Sequence, residues 1–189
     1  MTDSPYHDPR AAFWRSAFEQ ASEYATYLAE SPEHHAAKWH EMATHLPAIT
    51  DQQRQRLTGY NRRMHVLVSS GVWCGDCVRQ VPMIENIAQA AGEEIVLHII
   101  DRDVNPDLRE ELRVVGAERV PMAVFLSEDF WELGRYGDRS LTAYRGKATR
   151  EVGAACALGV IAPPTDELAA EQAEWIDVFE RMLLMVRLS

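Results

Sequence analysis

Long apolar runs are missing from this sequence. None approaches the roughly 18 consecutive apolar residues that a membrane-crossing helix requires, so no membrane partner is expected. The first residues, MTDSPYHDPRAAFWRSAF, lack a basic segment followed by an unbroken apolar stretch, and no signal peptide is expected. Cysteine is scarce, with 3 in 189 residues, which does not fit an extracellular disulfide scaffold. Together these point to a cytoplasmic location. Basic residues are outnumbered, 19 against 29 acidic, for a net charge of −10. Such a surface repels phosphate backbones and anionic lipid, which argues against nucleic acid as a partner. There is no internal repeat, no low-complexity tract and no Gly-rich loop of the kind that cradles phosphate. What is present is ordinary globular material, 47% hydrophobic and 25% charged, enough for a core without disulfide support.

Residues 1–62 read as a helical extension. Phe13, Ala17, Ala21, Tyr24 and Leu28 recur at three- and four-residue steps and predict one half-buried helix. Ser31-Pro32-Glu33 marks the start of a second, carrying Trp39, Met42, Ala43 and Leu46 and stopped by Pro47. Thr50 with Gln53 fits a capping box opening a short helix toward Tyr60. The pattern then changes. Met64–Ser70 reads as a strand, Cys74–Ala91 as a helix and Ile95–Ile100 as a strand. A helix follows from Asn105-Pro106 to about Val114, then strands over Met122–Leu126 and Trp131–Tyr136, and a helix from Ser140 to about Arg150. The order β-α-β-α-β-β-α predicts an α/β domain with a mixed central sheet flanked by helices. A looser stretch after Gly153 ends in Pro163-Pro164. An amphipathic helix begins near Thr165 with a stripe of Leu168, Trp175, Val178, Phe179, Met182 and Val186, so residues 151–189 form a C-terminal extension. The two extensions each carry an apolar stripe and are expected to pack together.

The chemistry-bearing feature is Trp73-Cys74-Gly75-Asp76-Cys77, a Cys-x-x-Cys that follows a strand and opens a helix. The first sulfur then sits at the helix N-terminus, where unpaired N–H groups and the helix dipole stabilise a thiolate. The second lies one turn on, placed to attack a mixed disulfide made by the first. Cys74 is the candidate nucleophile and Cys77 the candidate resolving thiol.

Residues 63–150 resemble thioredoxin at several independent points. Trp73-Cys74-Gly75-x-Cys77 matches the active site, and Pro82 the proline of the active-site helix. Asp103-x-Asn105-Pro106 matches the start of the next helix. Val120-Pro121 precedes a strand, where the family keeps a cis-proline facing the cysteines, and Gly137 falls where the family has a glycine before its last helix. The resemblance implies a thioredoxin-like fold with additional N- and C-terminal helices. It also implies a dithiol that exchanges with protein or small-molecule disulfide clients, with Trp73, Gly75, Asp76, Val120 and Pro121 around it. No bound cofactor or metal is implied, but an external reductant is, either a thioredoxin reductase or glutathione. The chain departs from the family in four places. Asp76 replaces the proline between the cysteines, Val68 and Ile99 stand where thioredoxin has a buried Asp and Lys near the resolving cysteine, and Met122 replaces a threonine. These departures point to a narrower client set or a different reductant. Val120-Pro121-Met122-Ala123-Val124-Phe125 also resembles the Val-Pro-x-x-Phe strand of glutaredoxins, although Gly75-Asp76 does not match that family's Pro-Tyr.

Plainer readings stand beside these. A Cys-x-x-Cys can be half of a zinc site, but neither Cys156 nor a histidine lies at ligand spacing. Cys156, in an Ala-rich segment, reads as a small buried hydrophobe. His34, His35, His40 and His45 do not align on one helix face, and Phe13, Trp14, Phe18, Trp39, Trp175 and Phe179 read as packing residues. The alternative function is a thioredoxin-fold adaptor or redox sensor with little reductase activity, its helical extensions carrying the contacts.

Overall fold

The computed structural model describes residues 7–152 and 164–189, so Cys156, Gly153 and Pro163 lie outside the described residues. The central sheet has strands β1 (Met64–Ser70), β2 (Ile95–Asp101), β3 (Met122–Ser127) and β4 (Glu132–Gly137). Their order is β2-β1-β3-β4. β1 runs parallel to β2, while β3 is antiparallel to both β1 and β4. The C-terminal ends of β1, β2 and β4 therefore meet the N-terminal end of β3 along one edge. That edge collects residues 71–77, 102–105, 120–122 and 138–140.

Alternation along the strands builds a core on each face. Val66, Val68, Ala123 and Phe125 face one cluster, and Leu67, Val124 and Leu126 the other. Helix α5 (Gly75–Ala91) covers the first face with Val81, Ile84 and Ile87. Pro82 lies buried inside α5, which runs on past it for more than two turns. Helix α8 (Glu167–Leu188) packs beside α5 and β4 through Trp175, Phe179 and Leu183, all fully buried. Helices α6 (Pro106–Glu111) and α1 (Ala11–Glu19) cover the other face, with Leu108 and Leu112 against Trp14 and Phe18. Helix α7 (Leu141–Val152) lies against α8. Among the described residues no helix is long and apolar enough to cross a membrane.

The N-terminal segment differs from its periodicity. The single helix expected over Phe13–Leu28 is broken into α1 and α2 (Tyr24–Ala29). Between them Ser22 exchanges two main-chain hydrogen bonds with Ile99, of 2.9 and 2.7 Å. That pairing covers the outer edge of β2, whose N–H and C=O groups would otherwise lack partners. A tertiary bond has overruled a local pattern. Ser31 likewise closes α2 instead of opening α3 (Glu33–His45): its hydroxyl donates to the Tyr27 carbonyl at 2.7 Å. Thr50 and Gln53 do form a capping box, at the start of α4 (Asp51–Gln55). Helix α6 ends short of Val114 because Val114 and Ala117 pair across a tight turn, with Val115 and Gly116 at positive φ.

The extensions are not a separate layer of their own. α1 lies on one face of the sheet, while α3 and α8 pack separately against α5 on the other. They touch where Arg56, just after α4, pairs with Asp177 and Glu180 of α8.

Candidate active site

Cys74 is the N-cap of α5, with extended backbone (φ −81°, ψ 125°) and its carbonyl accepting the Val78 N–H at 2.9 Å. The Cys74 side chain is half-buried, whereas Cys77, in the first turn, is fully enclosed. Both are free thiols. The hydrogen bond from the Cys77 thiol does most to hold the Cys74 thiol below the ordinary 9.0, at about 6. Partial burial opposes it, the backbone N–H groups of Cys77 and Asp76 assist, and the Asp76 charge opposes. Cys77 is pushed far up, first by burial and then by that same bond and the charge on Cys74. The Ser70 hydroxyl and the Gly71 N–H pull the other way. One thiol is poised to ionise and the other to keep its proton.

The site's walls come from the sheet edge. The Val120–Pro121 peptide is cis, and the Cys74 thiol donates to the Val120 carbonyl at 3.7 Å. Gly137 (φ +150°) backs this loop. A Cβ there would fall 2.3 Å from the Pro121 carbonyl oxygen, so the closeness of β4 to the proline loop requires glycine. Trp73 is 50% exposed at the rim. Its ring lies over Gly71, where a Cβ would meet it at 2.9 Å, and under the Arg102 guanidinium, 4.9 Å from the ring centre. Arg102 also donates to the Glu118 carbonyl at 3.1 Å, strapping Trp73 to the segment before Pro121. Gly75 sits in open space.

Asp76 is engaged by Arg139, which bonds both carboxylate oxygens and also approaches Asp138. Asp138, only 3% exposed, is held below the usual carboxylate range despite burial by Tyr144 and Arg119. Beside this network a polar cleft of about 450 Å³ opens between α5, α7 and α8. Glu174 of α8 accepts from the Leu141 and Thr142 N–H groups, fixing the start of α7.

Every residue expected at the site is therefore on this edge, and the structure adds several that single-sequence reasoning did not name. Arg102 and Arg139 follow β2 and β4 directly. Once the strands are known to end together, their nearness to the cysteines follows, but no motif marks them. Trp39 of α3 donates its indole N–H to the Val72 carbonyl at 2.9 Å, anchoring the loop before Cys74. Tyr27 of α2 stands next to Ser70 and Val72. These two gave no signal beyond a hydrophobic stripe. Among the described residues no three His, Cys, Asp or Glu side chains gather where they could hold a metal ion.

A family model described as thioredoxin matches residues 21–145. The chain belongs to the thioredoxin family. The match begins at Ala21, so it takes in the Ser22 pairing at the sheet edge as well as the cysteine loop. Two solved structures share this fold. A protein of unknown function from Pseudomonas aeruginosa aligns with a TM-score of 0.61 at 21% identity, covering 92% of this chain and 93% of that one. An HIV epitope scaffold aligns with a TM-score of 0.60 at 19% identity, covering 92% and 94%. Likeness at this identity concerns the fold alone. No curated protein matches the chain.

Proposed function

We propose that this thioredoxin-family protein is a thiol–disulfide oxidoreductase. The observation that carries the reading is the asymmetry of the pair: a half-buried Cys74 at a helix N-terminus, with its thiol down to about 6, one turn from an enclosed Cys77. The Cys74 thiolate attacks one sulfur of a client disulfide, forming a mixed disulfide and releasing the first client thiolate. Cys77 then gives up its proton and attacks Cys74, forming the Cys74–Cys77 bond and releasing the second client thiol. Two electrons pass from the dithiol to the client. A low-molecular thiol or a flavin-dependent reductase must return them. Trp73, Val120 and Pro121 form the rim on which a client strand rests. Protein disulfides and small disulfides both fit an open rim of this kind.

One observation favours the alternative of a binding or redox-sensing module. Among the described residues no carboxylate hydrogen-bonds to Cys77, so the second step has no evident strong base. Turnover separates the two readings. With dithiothreitol as donor, the wild type should catalyse reduction of a protein disulfide, and reduced Cys77→Ser, mixed with that disulfide after the dithiothreitol is removed, should accumulate a mixed disulfide on Cys74. A wild type no faster than dithiothreitol alone, with no trapped species, would leave only the binding module.

A further inference from the structure

Glu171, in the second turn of α8, is a carboxylate with 0% exposure. Arg79 of α5 donates to it twice, through Nε at 2.9 Å and Nη2 at 2.7 Å, and both bonds end on Oε1. An arginine that meets a carboxylate fork to fork satisfies both oxygens. Here Oε2 has no hydrogen-bond partner among the described residues. Buried polar atoms are rarely left so without a reason. Glu171 lines the polar cleft of about 450 Å³ beside Asp76, a volume within the range of small-molecule sites, about 300–1,000 Å³.

The charges of this cleft are of two kinds. Arg79 and Arg139 are committed, to Glu171 and to Asp76. Lys147 and Arg150, one turn apart on α7, are held only loosely, 3.5 Å from Glu151 and 3.7 Å from Glu167, with Arg150 66% exposed. Surface pairs of this kind contribute little and give way readily to a better partner. One cleft therefore holds an idle acceptor on a buried floor and two weakly engaged cations at its rim. Its four cationic side chains balance its four carboxylates. A ligand of one sign would leave a net charge in a partly buried space, and a ligand of both signs would not.

We propose that this cleft binds a small zwitterion of the amino-acid or short-peptide kind, its ammonium bonded to Glu171 Oε2 and its carboxylate held by Lys147 and Arg150. An ammonium supplies the donors that Oε2 lacks, and a carboxylate accepts from both cations of the rim. Most of the charged lining is peculiar to this chain. Lys147, Arg150, Glu151, Glu167 and Glu171 all follow residues 21–145, the part that the family model matches. Asp76 also lines the cleft, so it opens beside the dithiol. Binding needs no exchange at Cys74 and stands or falls apart from the dithiol reading.

The test is calorimetric titration of the full chain with trialanine, N-acetyl-trialanine and trialanine amide, the last two each lacking one end charge. Trialanine should bind at one site, and removing either charge should weaken it about tenfold, as expected for a hydrogen bond to a charged group. Glu171→Gln keeps the shape of the floor. It should weaken trialanine and leave N-acetyl-trialanine unchanged. Lys147→Gln combined with Arg150→Gln alters only the rim and should abolish the preference for trialanine over its amide. That result decides the matter even if Glu171→Gln fails to fold. Inorganic phosphate is the control for a plain anion site. No saturable binding of trialanine, equal binding of all three peptides, or phosphate binding as tight as trialanine would overturn the proposal.

Discussion

Cys74 and Cys77 are one helical turn apart and sit in two different regions of the protein. The rim around Cys74 is made of loops at the sheet edge: Trp73, the cis Val120–Pro121 peptide, Arg102 above and Arg139 alongside. It is partly wet and rich in oriented N–H groups, so it stabilises charge. The floor around Cys77 is made of α5, the end of β1 and the N-terminal helices, with Trp39 and Tyr27 closing it. It is fully buried, which favours a protonated thiol. The difference shows that the N-terminal helices do more than pad the sheet. They close over Cys77, the thiol that would act second in the proposed exchange.

The sharpest way to break this comparison is to remove each sulfur in turn. Cys74→Ser should bring disulfide reduction to the uncatalysed level, because a hydroxyl at that N-cap stays protonated at neutral pH. Cys77→Ser should keep the first attack and stall. Equal loss without a stalled species would contradict the division of roles.

Next in size is the floor. Trp39→Ala removes a fully buried indole and its bond to the Val72 carbonyl. A loss of about 3–5 kcal/mol in denaturant unfolding is expected. Cys77 should also become labelled by a small alkylating agent under native conditions. Trp73→Ala, at the exposed rim, should change stability by no more than about 0.5 kcal/mol and act on client reduction instead.

These residues also show where sequence reading ends. The strand and helix order, the cysteine positions and the proline loop were legible, because periodicity and a compact motif encode them locally. Residues 13–28 read locally as one helix, since nothing local announces that Ser22 pairs with Ile99. Trp39, Tyr27, Arg102 and Arg139 were legible only as stripe or surface residues. Their roles depend on which strand ends lie together, and that is decided by contacts such as Trp39–Val72 and Asp76–Arg139, 33 and 63 residues apart in the chain.

The third expectation concerns pH. Alkylation of Cys74 should rise as the pH climbs through about 6 and level off above it, while Cys77 stays unlabelled. A folded-state value below the unfolded one stabilises the reduced protein above the unfolded thiol's range. That stability should fade as the pH falls toward about 6. Reduced-state unfolding followed from pH 9 to pH 5 measures it.

The smallest effects should come from the Asp76–Arg139 pair. Asp76 opposes the Cys74 thiolate, so Asp76→Asn should lower the alkylation midpoint slightly. Arg139→Gln unmasks that carboxylate and should raise it. Shifts in the same direction would show that the pair does not act on Cys74 through charge.

The most direct test of the central claim is to mix reduced protein with one equivalent of a protein disulfide, quench in acid and map the cysteines by mass spectrometry. The expected result is a Cys74–Cys77 disulfide formed in step with the client's lost bond. Client reduction without that bond, or oxidation at Cys156 instead, would contradict the assignment of this pair as the redox centre.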